Sequence, residues 1–350
     1  MTRMDEGMPF LLQYEHVAWY EDGKVTILDR RCYPVEVRFV TCTTHLEVTQ
    51  AIRDMVTQSA GPYTAVGMGM ALAAYEARNL SDDAKRIFLK NAAHTLGNAR
   101  PTQANRYTLI TEHCLTVAEN AIAAGSDPIQ AIVDDTLSSL NRRYCAMQAV
   151  GDQLAELIPD GASVLTQCYG ETIIGTLIRG MRKKGKTFRA YCAETRPYMQ
   201  GARLTASCFA DSGIDTTVLT DNMIAYAMSA GLIDIFTSAA DTICCDGTVA
   251  NKVGSLQIGL LAKHYGIPYY VTGRPDSGKK TGNDIVLEMR DPAQVLRFMG
   301  MKTTVEGVKA IYPAFDIVPP HLISGIVTDK GVFVSHLIGD YFKDGSKRFY

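Results

Sequence analysis

The chain has 350 residues, 47% hydrophobic and 21% charged, a composition that can bury one large or two moderate cores. A formal net charge of -2 with a pI near 6.4 leaves no basic footprint for a phosphodiester backbone, which argues against a nucleic-acid partner. Nine cysteines, at 32, 42, 114, 145, 168, 192, 208, 244 and 245, are odd in number and lack a Cys-x-x-Cys pair, so a disulfide framework or structural zinc site is disfavoured and reduced thiols are expected.

The first residues, MTRMDEGMPFLLQYEH, hold too short an apolar run for a signal peptide. Nowhere do about 18 apolar residues follow one another, as a spanning helix requires. A soluble cytoplasmic protein without a membrane partner is the expectation. YEHVAWY and VTILD flank Glu21-Asp22-Gly23-Lys24, where Asp-Gly supplies the positive φ of a tight hairpin, so residues 14–40 read as a small antiparallel sheet. Thr43 or Thr44 then caps a helix whose Leu46, Ile52, Met55 and Val56 share a face, and Ser59-Ala60-Gly61-Pro62 breaks it.

In TAVGMGMALAAYEA, the small residues predict close helix packing. Gly67-x-Gly69 has no preceding strand and no third glycine, so it is no dinucleotide fingerprint. Ser81 is placed to cap a third helix with Asp82 and Asp83 in its first turn. Arg100-Pro101-Thr102 opens a fourth, around Tyr107 to Ala124, and Pro128 starts a fifth that runs to about Leu157.

From Ala162 the pattern changes to short apolar strands alternating with helices: ASVLTQ, FRAYCAE, TTVLTD, DIFTSAAD and PYYVTG, with helices near 171–184, 199–212, 222–230 and after Lys252. Repeated βα units of this length predict a doubly wound parallel sheet. The fold class is thus α/β, with a mainly helical domain carrying a small antiparallel sheet (1–145) before the sheet domain (146–350). A strand or hairpin and a last helix close the chain.

Cys168, Glu194, Asp221 and Asp241 fall at the carboxyl ends of these strands, where open α/β sheets bind ligands. Each has a plainer account: a cysteine is commonly buried and inert, and an aspartate is a frequent helix cap or solvated loop residue. Lys252 follows Asp241 after a turn at Asp246-Gly247. Gly273 to Lys280 nearly matches a phosphate loop, but TGNDIVLEM after it has a strand pattern where the loop needs a helix. The seven histidines show no i, i+4 pair and there is no G-x-S-x-G elbow, so neither metal catalysis nor a serine nucleophile has support. Cys168 with Asp241 is the pair that remains.

ETRPYMQGARLTA (194–206), VLTDNM (218–223), AAD…DGTVANKVGS (239–255) and PAFDIVPP (313–320) resemble the methylthioribose-1-phosphate isomerase family, over most of the chain. That family shares its fold with ribose-1,5-bisphosphate isomerases and with regulatory subunits of translation initiation factor two B. The resemblance implies a helical domain on a Rossmann-like catalytic domain, no metal or organic cofactor, a homodimer and a place in methionine salvage. It implies Cys168 and Asp241 as the catalytic pair, with Arg100, Gln200, Asn251 and Lys252 holding a sugar phosphate. The implied reaction turns an aldose 1-phosphate into a ketose 1-phosphate, the aldose being 5-methylthioribose 1-phosphate or a relative such as 5-deoxyribose 1-phosphate. The alternatives are a ribose-1,5-bisphosphate isomerase or a non-catalytic subunit that senses a sugar phosphate or nucleotide. Three departures stand out: Gln58-Ser59 replaces an Arg-Gly pair, Thr242 an arginine, and the loop after Cys168 is short.

Overall fold

The computed structural model describes residues 3–100 and 104–343. Contacts divide the chain into two compact units, one ending at Cys145 and the other beginning at Ala146.

In the amino-terminal unit the hairpin is β1 (Trp19–Glu21) and β2 (Lys24–Leu28), and β3 (Phe39–Cys42) pairs antiparallel on the other side of β2. Tyr14 to His16, expected within the sheet, forms a single 3-10 turn instead. Helix α1 (His45–Arg53) starts at a capping box in which Thr44 accepts from the Glu47 N–H and Glu47 reaches back. Leu46, expected on its buried face, is 58% exposed; Val48, Ala51 and Ile52 carry that face. Helix α2 (Gly61–Glu76) is buried nearly all round. Its small residues permit this, since a Cβ on Gly67 would fall 2.5 Å from Thr136 Oγ1. Helix α3 (Asp82–Gly97) begins after Ser81, whose side chain makes no cap bond although its backbone is extended as a cap's is. Helices α4 (Ala104–Ala123) and α5 (Pro128–Leu157) follow. Pro101 and Thr102, expected to open α4, lie outside the described residues.

The second unit is built on a seven-stranded sheet. Its strands are β4 (Ala162–Gln167), β5 (Phe188–Ala193), β6 (Thr216–Leu219), β7 (Ile235–Ala239), β10 (Tyr269–Thr272), β14 (Gly325–Thr328) and β15 (Gly331–Phe333). They run in the spatial order β15-β14-β10-β7-β4-β5-β6, all parallel except the β14–β15 hairpin. The helices between them are α6 (Glu171–Lys183), α7 (Ala206–Asp211), α8 (Ile224–Ser229) and α9 (Ser255–Tyr265). The chain leaves β4 toward β5 and β6, then returns to the other side of β4 for β7 and β10. The order therefore reverses between β4 and β7, and right-handed crossovers then send α6 and α7 to one face, α8 and α9 to the other. Packing of α6 on α7 and of α8 on α9 agrees with this.

Three local differences from the sequence expectation matter. The helix expected near 199 opens as a π-helical turn, Gly201–Thr205, before α7. Residues 242–252 form strands rather than a loop: β8 (Thr242–Ile243) and β9 (Val249–Lys252), with β13 (Phe315–Val318) antiparallel on β9. TGNDIVLEM is not a regular strand: a 3-10 turn at Gly282–Asp284 is followed by irregular backbone, then a small hairpin of β11 (Arg297–Phe298) and β12 (Met301–Lys302).

Candidate active site

Cys168 is the first residue past β4, at the point where strand order reverses. Its φ of +62° is a conformation that costs a non-glycine residue. Two threonines hold it there: the Cys168 N–H donates to Thr195 Oγ1 at 2.9 Å, and Thr205 Oγ1 donates to the Cys168 carbonyl. Thr195, at φ +64°, is fixed in turn by Asp221, whose carboxylate accepts the N–H groups of Thr195 and Arg196 at 2.9 and 2.8 Å. Asp221 is thus a brace for the loop after β5. Glu194, beside it, is shifted toward its neutral form by burial and by the charge of Asp221.

The loops after β4 and β7 approach closely, because a Cβ on Gly170 would sit only 2.8 Å from that of Ala239. Half-buried Asp241 follows, its N–H donating to the Ala250 carbonyl at 3.0 Å where β8 and β9 meet. Gln167 ties the end of β4 to the end of β9, its Nε2 donating to the Val253 carbonyl at 2.8 Å. That contact demands glycine at 254, which has φ +103° and no room for a Cβ beside Gln167 Nε2.

Lys252, 4% exposed, brings its ammonium 4.7 Å from the ring centre of Phe315, its cross-strand neighbour. Arg290 comes to the same ring, its guanidinium carbon 5.9 Å from the centre, with Nε donating to Glu288 Oε1 at 2.9 Å. Burial pushes the Cys168 thiol up and the Lys252 ammonium down, each toward its neutral form. For the thiol, the Lys252 charge, the Tyr169 backbone N–H and Arg290 work the other way, while the Asp241 charge adds to the rise. Arg290 stays charged: burial lowers it, but Glu288 and Tyr312 together outweigh that and raise it further. Thiol, carboxylate, ammonium and guanidinium thus interact at one end of the sheet, an arrangement that can pass protons beside an anion.

Gln200 is 3% exposed and its Oε1 has no hydrogen-bond partner among the described residues. The next residue has to be glycine, since a Cβ on Gly201 would meet the Ala193 carbonyl oxygen at 1.7 Å. Asn251 and Lys252 are adjacent on β9, so their side chains leave opposite faces of the strand. Asn251 gives Nδ2 to Ser255 Oγ at 2.8 Å, which in turn donates to Gln167 Oε1 at 2.6 Å. Arg100 belongs to the amino-terminal unit, where its guanidinium donates to the hydroxyl of buried Tyr107. Gln58, in the same unit, is buried, and its carbonyl accepts from Arg30 Nη1 at 2.8 Å. A guanidinium therefore stands at that loop although residue 58 is glutamine.

Sequence reasoning missed Arg290, Glu288 and Tyr312. The signal available was the alternation Glu288-Met289-Arg290, which puts two charges on one side of an extended segment with Met289, 61% exposed, on the other.

The family model of the Initiation factor 2 subunit family matches residues 63–335. A methylthioribose-1-phosphate isomerase from Carboxydothermus hydrogenoformans is 34% identical over 329 residues, covering 90% of this chain and 94% of its own. Among solved structures, a 5-methylthioribose 1-phosphate isomerase from Pyrococcus horikoshii OT3 superposes with a TM-score of 0.81 at 27% identity, over 95% of this chain and 96% of that one. The translation initiation factor eIF-2B subunit delta from A. fulgidus does so with a TM-score of 0.80 at 29% identity, over 91% and 96%. The chain belongs to the Initiation factor 2 subunit family and, within it, to the methylthioribose-1-phosphate isomerase family, and it is an isomerase.

Proposed function

We propose that the protein converts 5-methylthioribose 1-phosphate, or a close 5-substituted relative such as 5-deoxyribose 1-phosphate, to the ketose 1-phosphate on a Rossmann-like, doubly wound domain. The observation that carries this is the interaction of Cys168 and Asp241 with each other and with Lys252 at the strand-order reversal.

Asp241, as an acid, gives its proton to the ring oxygen as the bond from C1 to that oxygen breaks, leaving an oxocarbenium at C1. Cys168, as thiolate, takes the proton from C2, and the released electron pair makes the C1–C2 enol phosphate. The thiol then returns the proton to C1, while the C2 hydroxyl gives its proton to the Asp241 carboxylate and becomes the ketone. Both residues end in the state in which they began. Lys252 supplies positive charge for the thiolate and the phosphate, and the buried Gln200 Oε1 is an acceptor for a sugar hydroxyl. The buried surroundings of Cys168 limit proton loss to water.

Likeness to a structure named as a translation factor supports a second reading, a sensing subunit. A purely sensing protein has no chemical need for the thiol and carboxylate pair. Proton NMR in deuterated water with 5-methylthioribose 1-phosphate, 5-deoxyribose 1-phosphate and ribose 1,5-bisphosphate offered separately decides among them. Ketose formed from either of the first two is the expected result, with little solvent deuterium at C1 because the thiol is shielded from water. Turnover of the bisphosphate alone shifts the substrate, and binding without turnover of any favours the sensing subunit.

A further inference from the structure

The segment that carries Arg290 is held against the approach to β13 at three consecutive positions. The Arg290 N–H donates to the Tyr312 carbonyl and the Ala314 N–H to the Glu288 carbonyl, both at 2.8 Å, with Met289 bridging Pro313 between them. Tyr312 is 2% exposed and its hydroxyl makes no hydrogen bond of normal geometry. Arg290 stands beside it, its guanidinium carbon 5.9 Å from the ring centre. Burial holds the hydroxyl protonated, the charges of Cys168 and Glu288 act in the same direction, and Arg290 acts against them. A buried phenol therefore remains a hydrogen-bond donor within electrostatic reach of the reactive thiol, and the protein itself gives it nothing to donate to.

We propose that Tyr312 is a further substrate-contacting residue: its hydroxyl, beside Arg290, donates to an oxygen of the ligand that Lys252 and Cys168 serve. This rests on the reading of the site as a sugar-phosphate isomerase. A site built to hydrogen-bond a hydroxyl or carbonyl oxygen favours ligands that carry one there, because rivals leave the donor unpaired. The Phe315 ring, shared by Lys252 and Arg290, fixes the two cations that flank this position.

Tyr312→Phe removes the hydroxyl and keeps the ring. The expected result is a fall in kcat/KM of about 10- to 100-fold with Tm unchanged, the size of one lost hydrogen bond to a polarised oxygen. In parallel, the pH profile of Cys168 alkylation by iodoacetamide, read at that residue by mass spectrometry, stays in place, because the lost hydroxyl donates to the ligand and not to the thiolate. A kcat/KM within about twofold of wild type, below the effect of one hydrogen bond, overturns the proposal, as does a loss matched by a fall in Tm. Wild-type protein inactive on all three sugar phosphates sinks the functional reading instead. Calorimetric binding of 5-methylthioribose 1-phosphate then decides for Tyr312: a Kd raised about tenfold in Tyr312→Phe upholds the contact, and an unchanged Kd or no binding by wild type overturns it.

Discussion

Two buried charge clusters, one in each unit, treat their titratable groups in opposite ways. Asp29 is fully buried, and its carboxylate accepts Arg31 Nε at 2.8 Å, Arg31 Nη2 at 2.9 Å and Arg38 Nη2 at 3.1 Å. Burial alone would raise its pKa, but the two arginines outweigh it and hold the group at about 2. In the second unit Cys168 and Lys252 are both displaced toward their neutral forms, while among the described residues Gln200 Oε1 has no hydrogen-bond partner and the Tyr312 hydroxyl has none of normal geometry. A cluster that satisfies every charge fixes a loop. One that leaves charge poised and polar atoms unmatched is set up for chemistry.

The sharpest way to test that contrast is to remove the poised groups. Cys168→Ser and Asp241→Asn should each lower kcat by about 10³-fold or more, the scale of lost acid-base catalysis, with Tm moving by no more than about 2 °C. Steady-state kinetics and calorimetry on the same samples check both halves, and near-normal turnover of either variant removes that residue from the mechanism. Lys252→Met should cost about 10- to 100-fold in kcat/KM and raise the pH at which Cys168 alkylates, because the cation that favours the thiolate is gone. Its thermal stability should hold or improve, since a buried ammonium displaced from its preferred charge state is replaced by an apolar chain of similar length. In wild type the Cys168 alkylation midpoint should lie above that of an ordinary thiol, as burial dictates.

Asp29→Asn is the opposite case and the smallest effect on activity. It should leave kcat/KM unchanged and cost about 1–3 kcal/mol of stability near neutral pH, measured by urea denaturation. Because the folded pKa is depressed, the stabilisation from Asp29 is complete above the ordinary carboxylate range and is lost as pH falls through about 2. The stability gap between variant and wild type should therefore close between about pH 4 and 2. A gap that persists below that range would assign the loss to packing rather than to charge.

Strand ends were legible in the sequence because a parallel sheet leaves a regular trace. Cys168, Glu194, Asp221 and Asp241 each follow a short apolar run, and the sheet aligns those runs. The β8–β9–β13 sheet was not legible: β8 is two residues long and β9 pairs with a strand more than sixty positions away, so no local period announces either. For the same reason Glu288, Arg290 and Tyr312 went unseen, since one isolated bridge and two backbone bonds hold their segments together. Leu46 was misplaced because the first turn of α1 turns it outward, which a count of apolar residues does not reveal.

The amino terminus of α9 is a ready place for an incoming anion. Here Asp316, from β13, has already settled there, its carboxylate accepting the N–H groups of Gly254 and Leu256 at 2.7 and 3.0 Å. The helix carries its own resident anion, so its dipole is spent on tying β13 to α9. An incoming phosphate has to be met elsewhere, because that helix end is already taken.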